Sequence, residues 1–282
     1  MECVFWMLRV DTMRRQVRWL SLCALALLIV GTVTAESRSK VALVVDDLGN
    51  QWQSGLAVIH TPFIKTVAIM PGLPYTIELA EASLVAGKTV IVHAPMSNES
   101  DFPLGPLGLS RTDGDQQLLA NLSMGLDSVP HAEGLSNHMG SRLTRDAEAM
   151  GWVMDELRAR NLFYFDSVTV SSTQGWRMAE RKGVPWTRRQ VFLDHEPTPE
   201  FIEQQWQLAL RLARETGSVT VICHPYPETI AFFDSLDPAD YPDIEWVSIK
   251  ALLNQPARPV PQWRPHSFPE GAYQGRGPRS LS

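Results

Sequence analysis

Short unbroken apolar runs alternate with stretches of helical periodicity from residue 41 to about residue 253. Val41–Val45 is apolar at every position and runs into Asp46-Asp47, with Gly49 and Asn50 punctuating the turn. Thr66–Met70, Thr89–Val92, Leu162–Phe165, Gln190–Leu193 and Ser218–Ile222 repeat that form, and Trp246-Val247 starts a further short run. Runs this short, rich in β-branched and aromatic residues, read as strands buried on both faces. Between them, apolar spacings of three and four predict helices. One covers 76–86 and stops at Gly87; another covers 115–128 on Leu118, Leu119, Leu122 and Leu126. A third starts at a Thr144 cap, a fourth runs through about 174–182 to Gly183, and a long one opens at Thr198-Pro199 and ends at Gly217. Regular β–α alternation predicts an α/β fold with a parallel sheet, an irregular or incomplete (β/α) barrel of about seven parallel strands. An open doubly wound sheet is the alternative. No G-x-G-x-x-G follows the first strand, which argues against a dinucleotide site.

The flanks break the pattern. Arg14, Arg15 and Arg18 precede an apolar stretch from Trp19 to Val33, with small residues before Glu36. Residues 1–35 therefore read as a secretory signal peptide, and the apolar stretch is short for a membrane span. This predicts export, to the periplasm, with no stable membrane span after cleavage. Residues 36–254 form the expected domain. Residues 255–282 are rich in Pro, Arg, Gly and Ser and are expected to be a disordered or loosely docked tail. Composition changes little else. The net charge of −6 and the lack of a basic block give no support for nucleic-acid binding. Cys223 alone remains beyond the leader, so no internal disulfide is expected.

The chemistry lies at the ends of the runs. Asp46 and Asp47 follow the first strand, His93 follows the third, Asp166 follows Leu162–Phe165, and His224 follows the last clear strand. His138 sits in what reads as a turn before a helix. In a barrel all strand C-termini share one face, so these distant residues converge there. Two histidines and an aspartate suit a divalent metal such as zinc with a position left open for water. A second carboxylate can take the water's proton, and an opposing histidine can protonate a leaving amine. Asp46, Asp47, His93, His138 and His224 fill these roles. Each taken singly also has a plain structural reading as a cap, a turn former or a hydrogen-bonded loop residue.

The runs VALVVDDLGN, VIVHAPM, GLSNHMGSRLT, FYFDS, VFLD and VICHPYPET resemble the divergent polysaccharide deacetylase family, also called YibQ-like, over residues 41–253. The family is distantly related to the NodB-type carbohydrate esterases, irregular (β/α) barrels that remove acetyl groups with a metal ion. The resemblance implies Asp46 as base, Asp47 as metal ligand and His224 as acid. It departs from the NodB-type pattern in lacking a His-x-x-x-His pair, and offers His93 and His138 on separate segments as the remaining ligands. Arg142 is the candidate to pair with the base. Asn137, Ser141, Asp166 and Asp194 are candidate supporting or substrate-binding residues. The expected function is metal-dependent, most simply zinc-dependent, removal of acetyl groups from an N-acetylated glycan, with peptidoglycan the accessible substrate. The alternative is a non-catalytic cell-envelope binding or scaffold protein on the same fold.

Overall fold

The computed structural model describes residues 38–254. The expected leader and tail lie outside them. One sheet contains β1 Ser39–Leu48, β2 Thr66–Ile69, β3 Thr89–Met96, β4 Ala132–Met139, β5 Phe163–Asp166, β6 Trp186–Arg188, β7 Val191–Phe192, β8 Ser218–Cys223 and β9 Ile244–Trp246. The helices are α1 Trp52–His60, α2 Thr76–Val85, α3 Asp115–Ser128, α4 Ala147–Ala159, α5 Gly175–Lys182, α6 Pro199–Thr216 and α7 Pro227–Asp234. Among the described residues, no helix is long and apolar enough to cross a membrane.

The strand order β6-β5-β4-β3-β2-β1-β8-β7, with β9 beside the start of β1, dictates the shape. Every pairing is parallel. The two ends of this order, β6 and β7, are joined by only Arg189 and Gln190. Such a link spans at most about 11 Å, roughly two strand spacings, so the sheet must curl until its ends nearly meet. The link residues bind both sides of the seam: the Arg189 amide donates to the Asp166 carbonyl (3.0 Å), and the Gln190 amide donates to the Thr220 carbonyl (2.9 Å). This is the incomplete parallel barrel that the alternation predicts. A doubly wound sheet would reverse its strand order in the middle, and this one does not.

Period-two alternation divides the core into two layers. Val44, Ala68, Ile91, Phe163, Phe165 and Ile222 point inward and form one buried cluster. Their neighbours Val45, Val67, Val90, Val92, Tyr164 and Val221 pack outward under the helices. Ile249, in the single turn Ile249–Leu252, joins the inner cluster. It closes the N-terminal end of the barrel, its amide donating to Thr66 Oγ1 (3.1 Å). The other end holds the C-termini of the strands.

Three expectations need correction. Among the described residues the sheet has nine strands rather than about seven, because β4 and β6 carry too few apolar residues to stand out. His138 lies on β4, not in a turn. Asp146, not Thr144, caps α4: its Oδ1 accepts from the Glu148 (3.0 Å) and Ala149 (3.1 Å) amides. The Thr144 hydroxyl instead donates back to the Gly140 carbonyl (2.7 Å).

Candidate active site

β1 carries a bulge where the chemistry is. Val45 pairs with Val67 and Leu48 with Ile69, so β1 takes three residue steps where β2 takes two. Asp47 absorbs the extra step at φ 61°, an unusual conformation for a residue other than glycine. Adjacent residues of a regular strand face opposite ways. The bulge re-aims one of them, and both carboxylates reach the barrel interior.

There they meet histidines from two other strands. Asp47 Oδ1 lies 2.8 Å from His138 Nδ1 and 3.1 Å from His93 Nε2. Asp46 Oδ2 lies 3.7 Å from the same His93 nitrogen. One ligand atom each from Asp47, His93 and His138 falls within 4.8 Å of the others. Asp46 Oδ1 and Asp47 Oδ1 are nonetheless buried with no hydrogen bond of acceptable geometry. Three ligand atoms within this reach of one another, beside carboxylate oxygens whose bonding is incomplete, are what a cation-binding set requires. His93 Nδ1 is hydrogen-bonded to Ser136 Oγ (2.6 Å), which fixes the ring with Nε2 facing the cluster. The nitrogen and oxygen donors of Asp47, His93 and His138 thus fit a divalent metal.

Across the barrel, β8 delivers His224. Its Nδ1 is bonded to Asp194 Oδ1 (3.0 Å), and its Nε2 lies 3.9 Å from Asp47 Oδ2. Asp194, one residue past Leu193 at the exit of β7, is itself locked. Its Oδ2 accepts from the His224 amide (2.6 Å) and the Thr229 hydroxyl (2.7 Å). Burial alone would lower the His224 pKa, but the charge and hydrogen bond of Asp194, helped by Asp47 and Asp46, push it up to about 9. The imidazole is therefore protonated at neutral pH and can give a proton.

The adjacent carboxylates have unlike environments. Burial pushes the Asp46 pKa up, against the opposing pull of His93 and His224. Burial also acts on Asp47, yet His138 and His93 hold it well below the ordinary carboxylate range. Paired acids driven apart in this way take different jobs. Burial favours the neutral form of Asp46, and the two histidines favour the anion of Asp47.

Residues 43–253 match the family model described as divergent polysaccharide deacetylase. The chain belongs to the divergent polysaccharide deacetylase family. It is 35% identical over 217 residues to the uncharacterized protein YibQ of Escherichia coli K12, covering 77% of this chain and 68% of YibQ. An uncharacterized protein of Haemophilus influenzae is 31% identical over 195 residues, 69% of this chain and 70% of that one. The crystal structure of an uncharacterized protein from Agrobacterium tumefaciens C58 superposes with a TM-score of 0.71 at 22% identity, over 76% of this chain and 89% of that chain. That likeness establishes the fold.

The remaining expected residues of this family member serve the frame of the site. Asn137, on β4, accepts at Oδ1 from the Tyr164 hydroxyl (3.1 Å) and the Ser167 amide (3.0 Å), tying the β4 exit to the β5 exit. Ser141 Oγ accepts from the Glu99 amide (3.0 Å) and pins the 97–110 loop. Asp166 faces outward, toward α5. It accepts from the Val168 (2.8 Å) and Trp176 (3.0 Å) amides and the Thr173 hydroxyl (2.9 Å), and does not join the cluster. Arg142 is not the partner of the base. It lies 44% exposed and donates to Asp101 Oδ1 (2.6 Å) on the 97–110 loop.

The arginine that reaches inward is Arg189, in the seam. In sequence it reads as half of a solvated Arg188-Arg189 pair. In the fold its guanidinium donates to the Ser167 (2.7 Å) and Val168 (2.6 Å) carbonyls and sits 5.2 Å from the Phe192 ring centre. Burial lowers its pKa to about 10, opposed by Asp166 and Asp46. Its position three residues before Phe192, on the short link, is the only trace of this in the sequence.

Replacing Asp194 by Asn tests the dyad. The amide keeps the shape and the carbonyl acceptor but removes the charge that holds His224 near 9. With a raised pKa, the charged histidine contributes stability fully present below about 6.5 and lost as pH rises through about 9. Asp194→Asn should shift the loss of His224 protonation to lower pH, read by NMR titration of the imidazole. An unmoved titration would rule out Asp194 as its control.

Proposed function

We propose that this protein is a hydrolase that removes acetyl groups from an N-acetylated glycan, with peptidoglycan its natural substrate class. One observation carries the reading: the bulge in β1 brings a proton-exchanging carboxylate and an anionic one together, facing an Asp194-held histidine, in a chain of the deacetylase family. A divalent ion, zinc by the nitrogen and oxygen character of Asp47, His93 and His138, would supply polarisation of the acyl carbonyl and a more acidic water when bound.

The chain's own residues do the rest. Asp46 takes a proton from the attacking water. The acyl carbon–nitrogen bond breaks, and His224 Nε2 gives its proton to the leaving amine. Asp194 keeps the imidazole oriented through Nδ1. Acetate and a free amino sugar leave. The N-terminal pattern of residues 1–35 supports export, and we place the reaction in the periplasm on that ground.

The test is acetate release from N-acetylated chito-oligosaccharides and from peptidoglycan fragments, with zinc supplied or chelated. Release that needs the ion is expected. Purified, zinc-supplied protein that releases no acetate from either substrate would refute the reading.

A further inference from the structure

Among the described residues, three buried side-chain atoms lack a hydrogen-bond partner: Asp46 Oδ1, Asp47 Oδ1 and Ser167 Oγ. The first two belong to the cluster already described. The third is unaccounted for. Ser167 follows β5 and stands two residues beyond Phe165. Asp46, His93 and His224 stand in the same way two residues beyond Val44, Ile91 and Ile222, which with Phe165 form the inner cluster. The same parity carries Ser167 inward to the level of the site.

Its backbone is fixed from both sides. The amide donates to Asn137 Oδ1 (3.0 Å), and the carbonyl accepts from Arg189 Nε (2.7 Å). The next residue, Val168, is held at φ 48°. A β-branched side chain is strained there. The Val168 amide donates to Asp166 Oδ1 (2.8 Å) and its carbonyl accepts from Arg189 (2.6 Å). The fold thus holds strain to keep this segment in place, yet leaves the serine hydroxyl unpaired. Alanine would serve the fold better, because an unpaired buried hydroxyl is costly.

A hydroxyl held in this way is a donor for something that arrives. Ser167 is 2% exposed, and its parity past Phe165 matches that of Asp46 past Val44. The deacetylase reading brings the acyl end of a glycan to that level, and its carbonyl oxygen is the acceptor it offers. We propose that Ser167 is a catalytic residue whose Oγ–H donates to the acyl carbonyl oxygen and strengthens that bond as negative charge develops there. The serine keeps its proton throughout, and no covalent bond to it forms. The assignment rests on the deacetylase reading above.

The experiment compares wild type with Ser167→Ala by thermal melting, by kinetics on N-acetylated chitotetraose, and by the rise in Tm that acetate induces. The variant is expected to melt at or above the wild-type temperature. Its kcat should fall about 100-fold with KM nearly unchanged, and its acetate-induced rise should shrink. A variant that melts several degrees lower would mean that the hydroxyl is bonded within the resting fold, and would overturn the proposal. So would a wild-type kcat. A wild type that releases no acetate defeats the deacetylase reading separately. Ser167 is then judged by the acetate-induced rise alone: a smaller rise in the variant supports the contact, and an equal rise overturns it.

Discussion

Asp46→Asn should lower acetate release by about 10³-fold while leaving zinc content and KM close to wild type. The substitution keeps the size and planarity of a side chain that is 1% exposed, so packing is conserved. What it removes is the capacity to accept a proton. Asp46 suits that task because burial raises its pKa while His93 and His224 oppose the rise. A base works only when deprotonated, so the rate should climb with pH through the Asp46 titration. It should fall again as His224 loses its proton, near pH 9 without the ion and lower with zinc beside Asp47. In Asp46→Asn the acid limb should vanish from whatever rate remains. Stability should move the other way. A carboxylate whose pKa is raised by folding destabilises the fold as pH rises past that pKa. The metal-free variant should therefore melt at or above wild type near neutrality. Wild-type acetate release by Asp46→Asn, combined with its loss in a zinc-loaded Asp47→Asn, would exchange the two roles.

The division of labour between these neighbours was only half legible in the chain. Val41–Val45 announces a buried strand, and two carboxylates at its end call for a cation. The bulge that lets both face inward has no signature beyond Gly49 and Asn50, because it is set by pairing with β2. The missed elements have a related cause. β4 reads Ala-Glu-Gly-Leu-Ser-Asn-His-Met, with Leu135 its one buried branched apolar residue. Its inward positions are spent on Ser136, which orients His93, and on His138. Gly134 is small because a Cβ there would meet the Phe163 ring at 2.6 Å. The residues that make the site are the ones that erase the strand from the hydrophobic pattern. β6 and Arg189 were hidden differently. Trp186-Thr-Arg-Arg is short and charged, and only the closing of the sheet turns its second arginine inward. Asp166 was misleading for the opposite reason. It ends a strand like the others, but its parity sends it outward to α5.

His138→Ala should abolish the binding of one zinc ion per chain, measured by metal analysis of the purified protein and by thermal melting. Zinc at 1,000 times its dissociation constant would stabilise the wild-type fold by about 4 kcal/mol. For a domain of this size that is a rise in Tm of roughly 8–16 °C. His138 is the better ligand to remove. It is 14% exposed at the cluster, whereas His93 is 2% exposed and its loss would also open a cavity. Without His138, Asp47 loses the partner 2.8 Å away that most lowers its pKa. The metal-free variant should therefore be modestly less stable, and it should gain nothing from added zinc. A His138→Gln variant controls for the lost polar neighbour, because its amide presents an N–H toward Asp47 but is a poor zinc ligand. If wild-type melting is indifferent to zinc, the centre is not a zinc site, whatever the activity. If zinc binds and depends on His138 but no N-acetylated glycan is hydrolysed, the same residues hold a structural ion and the barrel serves as a binding scaffold. Metal content and acetate release, measured on the same preparations, therefore separate the enzyme from the scaffold.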